Sequence, residues 1–163
     1  MFDGLPPPQT IEYRLFVPGQ PVPQGSKNAF VNPRTHRAMV VDVRSADLKS
    51  WRNLITTMAL DVKDKGDAKN YPTDKYAVKL DLEFLRVRPR SAQRYVVQDI
   101  TGKDVDKLAR AVLDALTGVF YADDKQVMDL HATRQFSSLM QGVVIKATLE
   151  YNINLELSRR KRR

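Results

Sequence analysis

The stretch Lys103-Asp104-Val105-Asp106-Lys107-Leu108-Ala109-Arg110-Ala111-Val112-Leu113-Asp114-Ala115-Leu116-Thr117-Gly118, then Val119-Phe120-Tyr121-Ala122-Asp123-Asp124-Lys125-Gln126-Val127, organises the whole chain. Val105, Leu108, Ala109, Val112, Leu113 and Leu116 recur at helical spacing and form one apolar stripe. Gly118 is placed to end that helix as a C-cap. An Asp-x-Asp pair opens the helix and an Asp-Asp pair follows it. On a regular helix Asp104 and Asp106 would point about 200° apart and could not share a ligand. On an extended approach, alternate side chains share a face. Asp104 is therefore expected just outside the helix, and Asp106 at its N-cap or first turn, where the helix dipole favours an anion.

Gathered carboxylates repel one another, so a fold tolerates them mainly when a cation joins them. Mg²⁺ suits that role because it takes oxygen ligands and retains waters for chemistry. The structural alternative is that Asp serves as a helix cap and Asp-Asp as a turn. One pair alone favours that alternative; two pairs bracketing one helix favour it less. A helix of this length spans roughly 20 Å, so Asp123 and Asp124 would lie at its far end unless the chain runs back or a second subunit supplies them. Spacing leaves this open.

Outward from the helix, strands and a second helix are legible. Ile11, Tyr13, Leu15 and Val17 alternate with Glu12 and Arg14, as a strand does. Pro18 to Lys27 is rich in proline and glycine and reads as a turn-rich connection. Ala38–Asp42 reads as a short strand. A helix is expected from about Ala46 to Val62 with Ser45 as N-cap, its stripe being Leu48, Trp51, Ile55, Met58, Ala59 and Val62. That places Trp51 in the core rather than on a base-stacking surface. Lys63 through Thr73 reads as a polar loop. Tyr76, Val78, Leu80, Leu82 and Phe84 mark a long strand ending in Arg86-Val87-Arg88-Pro89-Arg90, whose charges either flank nucleic acid or are solvated. Met128, Leu130, Ala132 and Phe136 mark another strand. Val143, Ile145, Ala147, Leu149 and Tyr151 mark the last, and with Gln141-Gly142 as a turn these two read as an antiparallel hairpin. The expectation is a single small α+β domain, with two main helices packed on a mixed or mostly antiparallel sheet. Residues 1–157 form this domain, 1–10 being an irregular arm, and 158–163 form a basic tail.

The composition fits a nucleic-acid partner. The chain has 163 residues, 42% of them hydrophobic, and a net charge of +8. The tail Arg159-Arg160-Lys161-Arg162-Arg163 supplies five of those charges, so the body is only mildly basic. Such a tail is either solvated or a sequence-independent phosphate contact that weakens with salt. There is no cysteine, which excludes disulfides, thiolate zinc sites and cysteine nucleophiles. No apolar run is long enough to span a bilayer, and Met1-Phe2-Asp3-Gly4-Leu5-Pro6-Pro7-Pro8 lacks the pattern of a signal peptide. A cytoplasmic location, in a bacterium or a phage-infected host, is expected.

Other candidate chemistry is sparse. His36 and His131 show no metal-ligand spacing, and His131 falls on the polar face of its strand. Ser137-Ser138 has no nearby histidine base, and no Gly-rich nucleotide loop appears. Lys27 and Arg34 lie in or near the early loop, where phosphate contact and solvation weigh about equally.

Taken together, Asp104-Val105-Asp106-x-Leu108, Leu113-Asp114-Ala115-Leu116-Thr117-Gly118 and Tyr121-x-Asp123-Asp124-x-Gln126-Val127 resemble the RusA family of Holliday junction resolvases. Fainter agreement extends to the early G-x-P-x-P-x-G-x-K segment, Gly19 to Lys27. The resemblance implies a homodimeric, Mg²⁺-dependent endonuclease, with Mn²⁺ an acceptable substitute, that cuts two strands of a four-way DNA junction symmetrically. It implies no membrane and no organic cofactor. Asp104, Asp106 and Asp124 would be the essential carboxylates and metal ligands, with Asp123 a helper at the metal. Lys27, Lys103, Lys107, Arg110 and Lys125 would contact DNA. In the family the dimer brings the acidic residues of each site together with basic residues around them.

Three positions depart from the family pattern. Lys103 replaces a proline, Lys107 an asparagine, and Arg110 the functional lysine. Arg110 keeps the charge and can grip phosphate with two bonds, but it cannot easily give up a proton. Contact with phosphate or the transition state is the favoured role, and an i, i+4 pair with Asp106 the bland one. Asp114 faces away from the apolar stripe and reads as structural or solvated. The rival functional readings are a non-catalytic branched-DNA-binding protein and a metal nuclease acting on other branched DNA.

Overall fold

The structure is a computed structural model that describes residues 9–25, 27–31, 34–35, 38–42, 45–66 and 73–151. Its elements, in chain order, are β1 (Thr10–Pro18), β2 (Lys27–Val31), β3 (Ala38–Asp42), α1 (Ser45–Lys65), β4 (Tyr76–Val87), α2 (Val105–Leu116), β5 (Val127–Ser137) and β6 (Gly142–Tyr151). Single 3-10 turns, Thr73–Lys75 and Asp124–Gln126, precede β4 and β5. The fold is the expected α+β domain with two helices and a mixed four-stranded sheet.

The sheet runs β1-β6-β4-β5. β1 and β4 each pair antiparallel with β6, while β5 pairs parallel with β4. A separate antiparallel ribbon joins β2 to β3. Alternation explains the core. Ile11, Tyr13, Leu15 and Val17 on β1, Tyr76 through Phe84 at every second position on β4, and Val143, Ile145, Ala147 and Leu149 on β6 are all buried. Leu48, Trp51, Ile55 and Ala59 of α1, with Leu108, Ala109, Val112 and Leu116 of α2, are buried in the same cluster. Trp51 is thus a core residue, as its spacing indicates.

The last two strands do not form a hairpin with each other, contrary to the expectation above. β4 lies between them. Both strands alternate apolar and polar residues, and alternation specifies a buried face rather than a partner. β6 is the interior strand, with few of its residues exposed, whereas Met128 and Leu130 on β5 lie open at the sheet edge. The parallel partner requires a crossover, and α2 provides it.

Smaller differences are also physical. α1 continues three residues beyond Val62, into the segment read as loop. Its polar last turn is held by Lys65 to Asp61 at 2.7 Å and by Lys63 Nζ donating to the Val119 carbonyl at 2.8 Å. Thr10 belongs to β1 rather than to an irregular arm, and β2 adds a strand to the five expected. Val105 is exposed, while Ala111 and Ala115 are buried, because α2 meets α1 as well as the sheet. The basic tail and residues 1–8 of the arm lie outside the described residues. Among the described residues, no helix is long and apolar enough to cross a membrane.

The end of α2 shows why Gly118 stands there. Thr117 N–H closes the helix on the Leu113 carbonyl at 3.1 Å, and Gly118 takes φ +83°, a conformation costly for other residues. The turn then drives Val119, Phe120 and Tyr121 inward together. Phe120 stacks flat on Tyr13, with ring centroids 4.4 Å apart.

Candidate active site and nucleic-acid surface

The long connection from β4 to α2 sets where the catalytic candidates begin. Arg86, near the end of β4, donates to Asp99 Oδ1 at 2.6 Å and to Thr101 Oγ1 at 2.8 Å. Asp99 is only 2% exposed and is the one buried charged residue among those described. Arg134 of β5 donates to the Asp99 carbonyl at 2.7 Å, and Phe136 N–H to the Val97 carbonyl at 2.8 Å. The Arg86 and Arg88 guanidiniums lie over the Phe136 ring. These contacts lace the connection to both parallel strands. Gly102 completes the lacing, since a Cβ there would come within 2.4 Å of Asp99 Oδ2.

The chain thus delivers Asp104 to the N-cap of α2, and Asp106 falls in the first turn. Asp104 has φ −57° and ψ 125°, yet its side chain makes no capping hydrogen bond. The usual structural use of an N-cap aspartate is absent. Its carboxylate instead meets Lys107 Nζ at 2.9 Å. The hydrogen bond from Lys107, then its positive charge, holds the Asp104 carboxyl below its ordinary range. Asp106 and Arg110 are exposed, and among the described residues neither forms an ion pair. The bland i, i+4 pairing of Arg110 is therefore not made. Asp114 does have a structural partner, Arg52 of α1, which also donates to Gln24.

The Asp-Asp pair divides its roles. Asp123 caps the 3-10 turn: its Oδ1 accepts from Lys125 N–H at 3.0 Å, and Gln126 Oε1 accepts from Asp123 N–H at 3.1 Å. That reciprocal arrangement is a capping box. The Lys125 backbone bond is the first cause holding the Asp123 carboxyl below its ordinary range. Gln126 Nε2 donates to the Tyr76 carbonyl at 2.8 Å, tying the turn to the start of β4. Asp124 is exposed and forms no ion pair among the described residues. Beside it, the buried Tyr121 hydroxyl donates to the Leu113 carbonyl at 2.9 Å; burial first, then the Asp124 charge, pushes its pKa up.

One chain does not gather these carboxylates. α2 runs back between parallel strands, so Asp104 and Asp106 sit at one end of it and Asp123 and Asp124 beyond the other. Twelve residues separate the ends, which at 1.5 Å each is about 18 Å. Among the described residues, no three His, Cys, Asp or Glu side chains form a group able to hold a metal ion. Asp104 and Asp106 are oxygen donors of the kind Mg²⁺ prefers, but they make only part of a ligand set.

Cations concentrate at the Asp104 end. Lys103, Lys107 and Arg110 accompany Arg86 and Arg134 there, whereas Lys125 lies at the opposite end beside Asp123. Lys27 begins β2, and its side chain lies outside the described ones. A cavity of about 260 Å³ opens beside Lys103, between Pro21, Arg86, Thr101 and Arg134. The early proline-rich loop reaches this end because Gln24 N–H donates to the Lys107 carbonyl at 2.9 Å. Arg86 and Arg134 are the site-proximal residues that sequence reading leaves unassigned. Only the general basic character of Arg86 to Arg90 signals the first, and nothing local signals the second.

Comparison with known families agrees with this architecture. A family model described as endodeoxyribonuclease RusA matches residues 18–148, from the end of β1 to within β6. No curated protein matches the chain. With most of its length matched, the chain belongs to the RusA endodeoxyribonuclease family and is an endonuclease of the Holliday junction resolvase class.

Proposed function

We propose that the protein is a Mg²⁺-dependent resolvase of four-way DNA junctions, acting as a homodimer whose two active sites are each shared between subunits. One observation carries the reading: Asp104 and Asp106 are exposed at one end of α2, and Asp124 is exposed beyond the other. A single chain cannot unite them, and an isologous dimer can do so twice. Two equivalent sites then match the two opposed strands of a junction.

Asp104 and Asp106 of one subunit, with Asp124 of the other, would hold the metal. Asp123 is the weaker ligand because its carboxylate already caps a turn. When bound, Mg²⁺ would supply charge neutralisation at the phosphate and acidify water. Lys107 pairs with Asp104, and its ammonium would turn to the DNA backbone where a bound cation took over that carboxylate. Arg110 stands one helical turn beyond Asp106, with an open guanidinium suited to two phosphate oxygens. It stabilises charge without transferring protons. Lys103, Arg86 and Arg134 extend the basic surface and position the backbone. Phosphate contacts carry no sequence information, so shape selects the junction.

The test compares a synthetic four-way junction, a flap and a linear duplex in Mg²⁺ and in chelator. Paired cuts on the junction, absent in chelator, support the reading. Preferential flap cleavage would reassign the substrate to other branched DNA, and binding without cleavage under any metal would leave a binding module.

A further inference from the structure

Lys107 stands at the third position of α2, inside its first turn. The helix dipole disfavours a cation there. A glutamate or glutamine at that position would reach back to the N-cap backbone N–H and complete a capping box. Lys107 also reaches back, but to the N-cap carboxylate: its Nζ lies 2.9 Å from Asp104 Oδ2. Asp104, for its part, makes no side-chain bond to the N–H groups of the first turn. Both residues thus forgo the arrangement that best stabilises a helix start. The pair is also open to solvent, with 41% of the Lys107 side chain and 64% of the Asp104 side chain exposed. An exposed pair of this kind adds little to stability, so a structural role explains it poorly.

Its place in the site explains it better. The Asp104 hydrogen bond and charge, and then the Asp106 charge, raise the Lys107 pKa. The ammonium therefore faces both carboxylates at the start of α2. Arg134 and Lys103 add their positive charge at Asp104. A divalent cation approaching Asp104 meets three cationic groups, one of them already in contact. We infer that Lys107 is a tethered counter-ion that competes with the metal for Asp104 until a DNA phosphate draws its ammonium away. The inference rests on the metal-dependent reading above and names how that site is regulated. Two ion exchanges are coupled: Asp104 passes from the ammonium to the metal, and the ammonium passes from Asp104 to a phosphate. Such coupling is reciprocal, so DNA tightens metal binding and metal tightens DNA binding by the same factor.

The competition is tested on the full-length protein without DNA. Mn²⁺ binding is followed by loss of the free-ion electron paramagnetic resonance signal. Lys107→Gln should bind Mn²⁺ about three- to fivefold more tightly than wild type, the range an exposed ion pair can supply. Lys107→Arg keeps a cation opposite Asp104 and should stay near wild type. Lys65→Gln breaks a similar exposed pair, with Asp61 in the last turn of α1, and should also leave Mn²⁺ binding unchanged. Equal affinity in wild type and Lys107→Gln overturns the inference and leaves the metal reading standing. Absence of bound Mn²⁺ in both overturns the metal reading and the inference with it.

Transfer of the ammonium to DNA is read in chelator, where no cleavage intervenes. Asp104→Asn removes the carboxylate charge, as a bound cation would neutralise it, and releases Lys107 from that partner. It should steepen the slope of log junction affinity against log salt by about 1, the signature of one added phosphate contact. In a Lys107→Gln background the same substitution should add no steepness. An Asp104→Asn effect of equal size with and without Lys107 overturns the exchange, because lost repulsion between carboxylate and phosphate then accounts for all of it.

Discussion

Arg86 donates to Asp99 at 2.6 Å, and Asp99 is almost fully enclosed while Arg86 is partly open. This pair fastens the strand that precedes the connection to the loop that delivers Asp104. Asp99→Ala leaves a guanidinium and the Thr101 N–H without their acceptor, and should cost about 2–3 kcal/mol in denaturant unfolding. Gly102→Ala tests the same junction sterically, because its Cβ must push Asp99 or the loop aside. It should lower both cleavage and junction binding in chelator, since it disturbs the loop that delivers Asp104 and also Arg134, whose Cδ would lie 3.2 Å from the new Cβ.

Asp114 belongs to the family motif, yet its partner is Arg52 on the other helix. Asp114→Asn should therefore keep cleavage near wild type and cost only ~0–1 kcal/mol, the range for a part-exposed ion pair. Asp106→Asn and Asp124→Asn should abolish cleavage with little change in melting temperature. Single-turnover kinetics beside thermal melts separates the two classes. Loss of cleavage in Asp114→Asn at unchanged stability would make Asp114 part of the site.

The Lys107–Asp104 pair gives a pH prediction. The Asp104 carboxyl is depressed in the folded state by the Lys107 hydrogen bond and then by its charge. Its stabilising effect is thus present above the unfolded value of ~3.9 and fades as pH falls through the folded one. Lys107→Gln removes both causes, so Asp104 should titrate at higher pH, and the acid limb of activity should move the same way. Carboxyl carbon NMR follows Asp104 directly; an unmoved titration would show that Lys107 does not set it.

Arg110→Ala tests the departure from the family's lysine. Removing one phosphate contact should reduce the slope of log affinity against log salt by ~1. If Arg110 also stabilises the transition state, cleavage should fall by about 10²-fold or more while binding in chelator changes modestly. Equal loss in both would confine Arg110 to binding.

Much of the fold is legible because local periodicity is. Ile11 to Val17 and Tyr76 to Phe84 alternate strictly, and the α2 stripe ends at a glycine whose φ is positive. The partnership of β5 is not legible, because an edge strand and a hairpin arm share the same two-residue period. Val119, Phe120 and Tyr121 are buried in succession, a pattern with no period. At the site, the aspartates stand out as residues, and their division of labour does not. Asp123 is a cap and Asp114 an inter-helix partner only once Lys125, Gln126 and Arg52 are placed in space. Arg134 reaches Asp99 across thirty-five residues of chain, a relation that no local spacing encodes.

The central claim is that Asp104 and Asp124 of one site come from different subunits. Asp104→Asn and Asp124→Asn, each inactive alone, would be mixed under subunit exchange and assayed for nicking of a four-way junction. In a shared arrangement each heterodimer regains one intact site, so nicking should return to about a quarter of the wild-type level. If each site were built within one chain, both sites of the heterodimer would carry a lesion. A mixture that stays silent, with exchange verified, would contradict the shared site.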